Sequence, residues 1–282
     1  MNPNPRHRPF HQVDVFAGTA YRGNPLAVVL DAQGLDAAIM QHFANWTNLS
    51  ETTFLLPPRD SRADYRVRIF TGTEEFPFAG HPTLGSAHTW LESGGVPKSD
   101  GCVVQECAAG LVRIKRDGGR LAFAAPPLTR SGPVEEPVRR QLAAALRVAP
   151  GDILDACWLV NGPEWFGVLL ESAGQVLALE PDHAAMGDLK IGVIGPHAPG
   201  AGADFEVRTF LPGDAMAEDP VTGSFNAGAA QWLMGTGRAP EQYVASQGTV
   251  LGRAGRIHLS AEGGDIWVGG ESTTCIQGTV LL

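Results

Sequence analysis

Three residues carry the chemistry this sequence offers: Glu51, His81 and Asp219. His81 opens the phrase His81-Pro82-Thr83-Leu84-Gly85-Ser86, and Asp219 opens Asp219-Pro220-Val221-Thr222-Gly223-Ser224. The phrases differ at the first position and keep Pro, Gly and Ser in step. Each leads into small and apolar residues that read as a helix, 87–91 and 225–233. Proline in a first helical turn loses nothing, because the N–H groups there have no intrahelical acceptor. Such a helix start presents N–H donors and a positive dipole end, which suit a carboxylate or phosphate. One start carries an imidazole and the other a carboxylate, a pairing that suggests an acid–base enzyme.

Glu51 sits in Asn48-Leu49-Ser50-Glu51-Thr52-Thr53-Phe54, where a polar segment runs into an apolar strand. A carboxylate at the end of a buried strand is often partly desolvated, which raises its pKa toward useful general-base values. Each of the three also has a plainer use. Glu51 can be an exposed loop acid beside a Ser cap, His81 a structural imidazole, and Asp219 a cap that accepts helix N–H groups.

The elements that must position these residues come in two copies. Asp64-Tyr65-Arg66-Val67-Arg68-Ile69-Phe70 matches Asp204-Phe205-Glu206-Val207-Arg208-Thr209-Phe210, Gln105 faces Gln247, and Asp117-Gly118-Gly119-Arg120-Leu121 faces Glu262-Gly263-Gly264-Asp265-Ile266. Blocks in one order with slowly drifting offsets indicate a duplicated domain, since a repeat near 140 residues is about one domain long. At the strand's offset of 140 the residue facing Glu51 is Ile191, so the duplication kept the strand and not the acid. The halves are expected at 1–130 and 131–282, joined by the Pro- and Gly-rich stretch from Pro126 to Pro133, with the last strand, about 272–282, packing back onto the first half. Many short strands and one main helix per half predict an α+β fold. Each half is a curled, mostly antiparallel, barrel-like sheet around a central helix, because alternating βαβ units would need more helices. If the halves pack about a twofold axis, both helix starts face one cleft, a usual place for a ligand.

Composition narrows the class. The formal net charge is -9 with no run of Lys and Arg, so the basic footprint for nucleic acid is missing. No segment approaches the ~18 apolar residues of a membrane span, and the charged N-terminus has no apolar run after it, so a cytoplasmic protein is expected. Cys102, Cys107, Cys157 and Cys275 show no paired Cys-x-x-Cys spacing and read as reduced thiols. His81, His88, Glu51 and Asp219 lack a familiar metal-ligand spacing, so no metal is expected.

Gly23-Asn24-Pro25-Leu26-Ala27-Val28-Val29, Asn48 to Phe54, Arg68-Ile69-Phe70-Thr71, Ala79-Gly80-His81-Pro82-Thr83-Leu84-Gly85 and Glu218 to Ser224 resemble the PhzF-like, phenazine-biosynthesis isomerase family. The likeness runs in order from about Gln12 to Leu282. It implies a diaminopimelate epimerase-like fold with the site between two similar halves. It further implies an isomerase or epimerase without cofactor, moving a proton on a small carboxylate substrate. The resemblance puts the acid/base at Glu51, with His81 and Asp219 as flanking groups, and brings Gly80, Gly85, Gly223 and Ser224 to the substrate. It also implies a homodimer. Trp46, where relatives carry charge, reads as a cover for the core or as a wall of the cleft. A two-thiol racemase would need cysteines at the helix starts, which they lack. A non-catalytic binding protein on the same fold is the alternative, and loss of Glu51, His81 or Asp219 would have pointed to it.

Overall fold

The computed structural model of the chain describes residues 5–213 and 217–282, without the side chain of Asp117. The first four residues of the N-terminal segment read above lie outside the described residues. Two units form: one runs to Ala124 and is completed by Gly269–Leu282, and the other is Ala125–Val268.

In the first unit the chain forms β1 (His7–Val15), β2 (Asn24–Val29), α1 (Ala37–Thr47), β3 (Thr52–Leu56), β4 (Tyr65–Phe70), β5 (Glu75–Phe76), α2 (Gly80–Glu92), β6 (Cys102–Cys107), β7 (Gly110–Asp117) and β8 (Arg120–Ala124). β1 and β2, β3 and β4, β6 and β7, and β7 and β8 pair antiparallel; β2 with β3 and β4 with β6 pair parallel. Parallel neighbours need a crossover, and α1 and α2 are those crossovers. The Asp36 carboxylate caps α1 by accepting the Ile39 N–H at 2.8 Å, and Asn48 ends the helix in the left-handed region. Met40 and Ala44 of α1 pack with Val29, Phe54 and Phe70 on the outside of the sheet. α2 is rich in small residues and is buried from Gly80 to Ala87, its polar His81, Thr83 and Ser86 included. A helix of that kind belongs inside, and α2 touches β1, β2, β3, β6 and β8.

The second unit repeats the plan with β9 (Arg130–Pro133), α3 (Glu136–Leu146), β10 (Asp155–Val160), β11 (Glu164–Leu169), α4 (Ala173–Leu177), α5 (His183–Met186), β12 (Lys190–Pro196), β13 (Phe205–Phe210), β14 (Glu218–Asp219), α6 (Gly223–Gly235), β15 (Gln242–Gln247), β16 (Gly255–Glu262) and β17 (Asp265–Gly270). Here β11 and β12, and β13 and β15, are the parallel pairs. α6 is the buried central helix, while α3 adds a second apolar layer around Leu142, Leu146, Val168 and Ile191. The chain's last strand, β18 (Ser272–Leu281), returns to lie antiparallel to β1. The equivalent place beside β10 is taken by β9, from the Pro- and Gly-rich linker.

The ladders also fix which residues are equivalent. Phe70 lies opposite Thr52 and Glu75, and Phe210 lies opposite Ile191 and Glu218. The offset is therefore 140 at Phe70 and 143 at Glu75, because the loop after Phe210 is three residues longer than the loop after Phe70. It stays at 143 in the helices, whose N-caps are Ala79 and Thr222. Three sequence readings are corrected here. Gln105 lies beside Tyr65 as Ala245 lies beside Phe205, so it matches Ala245 and not Gln247. The counterpart of Glu51 is Lys190, one residue before Ile191. His81 is equivalent to Ser224, and Asp219 to Phe76, so the two phrases match in letters and not in position.

Candidate functional site

Glu51 stands between α1 and β3. The left-handed turn at Asn48 (φ 55) reverses the chain there, and the Thr47 and Thr52 hydroxyls tie its two sides at 2.9 Å. Ser86 of α2 donates to Thr53 Oγ1 at 3.0 Å, fixing the helix against β3. His81, in the first turn of α2, brings Nδ1 to 3.4 Å from Glu51 Oε2, with the side chains 5% and 15% exposed. Burial pushes the His81 imidazole down to about 3, against a smaller opposing pull from a hydrogen bond to the Pro25 backbone. The ring is therefore neutral at pH 7, and its contact with Glu51 is not an ion pair. Pro25 is held in turn by the preceding loop: Asp14 Oδ2 accepts the N–H groups of Arg22 and Gly23 at 2.6 and 3.0 Å. A Cβ on Gly23 would lie 2.3 Å from the Val15 carbonyl oxygen, so only glycine lets the chain pass.

Asp219 belongs to β14, three residues ahead of Thr222, the α6 N-cap. Its Oδ2 accepts from Thr222 Oγ1 at 2.5 Å, and Thr222 Oγ1 lies 2.6 Å from Thr209 Oγ1. With the Thr222 proton given to the carboxylate, Thr209 must be the donor in that second bond. Buried Gln247 organises the segment. Its Nε2 donates to Thr209 Oγ1, Thr222 Oγ1 and the Asp219 carbonyl, and its Oε1 accepts from Thr222 N–H and Asn226 Nδ2, all at 2.9–3.1 Å. Gln105 does the same for α2 with fewer bonds, donating to Thr83 Oγ1 and accepting from the Tyr65 hydroxyl, both at 2.9 Å. The sequence repeat paired the two glutamines although their registers differ by two residues; nothing in the sequence marked Thr209 or Asn226.

Gly223 and Ser224 are the first two residues of α6, where N–H groups have no intrahelical acceptor. Trp165 Nε1 donates to Ser224 Oγ at 3.0 Å, and Asn161 Nδ2 to its carbonyl at 2.8 Å, so Ser224 is held from two sides. Gly80 is the first residue of α2. Gly85 is different: it lies in the second turn, its N–H inside the helix, where a Cβ would sit 2.6 Å from Leu26 Cδ2. It lets α2 approach β2, and its N–H is not among the free donors of the helix start. Trp46 does not cover the core. It is 75% exposed and stacks on Phe43 beside a cavity of about 750 Å³ that Leu281 and Leu282 also line. His88 turns to the returning strand, 3.0 Å from Thr274 Oγ1. Burial pushes the Cys107 and Cys157 thiols up, away from the thiolate a nucleophile needs. Among the described residues no group of three or more His, Cys, Asp or Glu side chains could hold a metal ion, and no helix is long and apolar enough to cross a membrane.

Comparison with known proteins places this geometry. The chain is 35% identical over 300 residues to Antisense-enhancing sequence 1 of Schizosaccharomyces pombe, covering 97% of this chain and 98% of that one. It is 35% identical over 257 residues to the trans-2,3-dihydro-3-hydroxyanthranilate isomerase of Pseudomonas aeruginosa, covering 89% of each. The crystal structure of a PhzF-family phenazine biosynthesis protein from Enterococcus faecalis superposes with a TM-score of 0.81 at 25% identity, covering 98% of this chain and all of the other. The α+β fold of paired halves is diaminopimelate epimerase-like. Residues 13–279 match the family described as phenazine biosynthesis-like protein, and the chain belongs to that family.

Proposed function

We propose that this isomerase moves a proton between carbons of a small carboxylate-bearing substrate, with Glu51 as the group that takes and returns it. In the first step the Glu51 carboxylate removes a proton from carbon, and the C–H electron pair is delocalised toward the substrate's own unsaturation. In the second, the protonated Glu51, whose carboxyl proton exchanges with solvent, delivers a proton to a neighbouring carbon, so atoms and electrons balance and no oxidant or reductant is consumed. The observation that carries this reading is the Glu51–His81 pair: a largely buried carboxylate 3.4 Å from an imidazole kept neutral by burial. The neutral ring gives its one N–H to the Pro25 carbonyl and lies against the carboxylate without pinning it as an ion pair. The N–H groups of Gly80, Gly223 and Ser224 are assigned to the substrate's carboxylate or developing negative charge. Asp219, oriented by Thr222, is assigned a flanking polar contact. No cofactor enters this scheme, and a cytoplasmic homodimer completes the proposal.

The Pseudomonas aeruginosa relative is named for trans-2,3-dihydro-3-hydroxyanthranilate, which makes that compound the first to test. In D2O, wild-type protein should introduce deuterium as the compound isomerises, and Glu51→Gln should retain binding while exchange stops. Exchange at the wild-type rate in Glu51→Gln would show that another residue is the base. Asp219→Asn should weaken binding and rate together, and sedimentation of the purified chain reads the dimer.

A further inference from the structure

A second polar cavity lies within the first unit, away from Glu51. It has a volume of about 440 Å³ and its wall includes Arg59, Arg66, Arg68, Glu75 and Glu106. Arg66 faces Leu56 across the β3–β4 ladder, whereas Thr52, next to Glu51, faces Phe70. Four residues of strand separate the two places, roughly 13 Å at ~3.3 Å per residue.

The cavity's charges are unevenly committed. Glu75 is taken by Arg68 in a two-point pair, with N–O distances of 2.7 and 2.6 Å. Glu106 accepts the backbone N–H groups of Arg59 and Asp60 at 2.6 and 3.0 Å, which holds that loop over the cavity. Both carboxylates thus have partners, while Arg66 Nε is buried with no hydrogen-bond partner among the described residues. Burial and then the nearby Arg59 charge push the Arg66 guanidinium below its ordinary value, only partly offset by Glu106. Arginine has five donors and no acceptor, and a buried donor without a partner is destabilising.

The second unit resolves the same position internally. The residue equivalent to Arg66 is Glu206, which is 1% exposed, accepts from Ser246 Oγ at 2.5 Å and lies 3.1 Å from His197 Nε2. In the first unit Glu106 stands at the place of Ser246 and gives its carboxylate to the Arg59 and Asp60 N–H groups instead.

We propose that the cavity beneath the 59–60 loop is a second ligand site, in which Arg66 and Arg59 bind the oxyanion of a small phosphorylated or carboxylated molecule. The planar guanidinium fork matches either group through two parallel N–H···O bonds. Leu35, Met40, Leu56 and Phe76 line the same cavity and receive the ligand's apolar body. Three arginines against two glutamates leave one net positive charge at the wall, which a single oxyanion neutralises.

Titration calorimetry of the full chain at pH 7.5 and low salt tests this with three probes: inorganic phosphate, phenyl phosphate and benzoate. Wild-type protein should bind at least one. Heat from the phosphate probes assigns a phosphoryl ligand, and heat from benzoate alone assigns a carboxylate. Arg66→Gln should weaken the bound probe at least about tenfold. Exposed Arg59→Gln, which removes no buried group, should weaken it measurably with an unchanged melting temperature. Arg62→Gln, whose side chain is paired with Asp60 and absent from the wall, should not change it. Asp219→Asn, which should weaken binding at the proposed catalytic site, should leave the titration as in wild type, which separates this site from that one. The proposal is overturned if no probe binds at millimolar concentration, if the Arg59→Gln/Arg66→Gln double variant binds as wild type does, or if Asp219→Asn weakens the signal.

Discussion

At equivalent positions of the two halves the residues diverge wherever chemistry is proposed and agree wherever the chain is being held. Ahead of the third strand the first half has Glu51 and the second Lys190; in the first turn of the central helix they have His81 and Ser224. Asp219 is matched by Phe76. By contrast, Asp64 and Asp204 each accept a strand N–H, from Val104 and Val244, at 2.7 and 2.8 Å, and a buried glutamine anchors each helix start from places two residues apart in the ladder, Gln105 matching Ala245 by register. An Arg–Glu pair joins the fourth strand to the short one after it in both halves, Arg68–Glu75 and Arg208–Glu218. Duplication gives a scaffold that is stable twice over, and single substitutions can then make one copy reactive without disturbing the frame.

The sharpest way to break this comparison is to exchange its two ends for glutamine. Loss of a positioned acid/base lowers rates by ~10²–10⁴, so Glu51→Gln should reduce deuterium exchange by that factor. Lys190→Gln, at the same register in the other half, should leave the rate within about twofold of wild type. Equal losses would mean that the halves contribute symmetrically and that the acid is not the asymmetric element.

The Arg–Glu pairs test the frame. Arg208 is 4% exposed and also donates to the carbonyls of Val176 and Leu179, at 3.2 and 2.7 Å. Arg208→Ala leaves a largely buried carboxylate and two carbonyls without their donor, a change of about 3–5 kcal/mol. Arg68 and Glu75 are 24% and 36% exposed in their side chains, and an exposed pair contributes about 0–1 kcal/mol. Urea denaturation of Arg68→Ala and Arg208→Ala should show that ratio. A larger loss at Arg68 would reverse the assignment of which pair is structural.

How much of this was legible in the residues follows the same division. The duplication, the central helices and the strand that carries Glu51 could be read because they rest on periodicity and on short phrases repeated in order. The equivalence of His81 with Asp219 could not, because three added residues in one surface loop shift every later position, and a shared Pro-x-x-Gly-Ser phrase hides the shift. Trp46 misled for a related reason. Its spacing from Phe43 fits an apolar stripe, yet α1 ends at the next residue and the ring is left exposed. Gln247 was visible only as a repeated letter, since the number of bonds it makes depends on where Thr209 and Thr222 meet.

His81 gives a pH test of the first half. Its folded value, about 3, lies below its ordinary 6.5, so the unfolded chain binds a proton that the folded one refuses. Stability from this group is complete above pH 6.5 and is lost as pH falls toward 3, at up to roughly 1.4 kcal/mol per pH unit. Urea midpoints at pH 7 and pH 4 should therefore separate more in wild type than in His81→Gln, which has no such proton to refuse. An unchanged separation would place the acid sensitivity elsewhere.

The smallest effect concerns the two central helices themselves. Gly85 of α2 and Gly228 of α6 occupy the same helical position, at the offset of 143 that the N-caps define. A Cβ on Gly85 would lie 2.6 Å from Leu26 Cδ2 and 2.9 Å from Val15 Cγ2, distances that force a strand side chain out of its rotamer. On Gly228 the nearest atom would be Leu159 Cβ at 3.2 Å, with the next at 3.5 Å, so a shift of a few tenths of an ångström is enough. Replacing glycine by alanine inside a helix gains about 1 kcal/mol of propensity, while overpacking a well-filled core loses about 1–3 kcal/mol. At Gly85 the loss wins, and Gly85→Ala should lower stability by about 1–2 kcal/mol. At Gly228 the two terms nearly cancel, and Gly228→Ala should stay within about 0.5 kcal/mol of wild type. Since the catalytic assignment lies in the first half, the Gly85→Ala shift should also reach His81, one turn earlier on α2, and lower the exchange rate by more than the stability loss accounts for. Gly228→Ala, at the matching place on α6, should leave that rate alone.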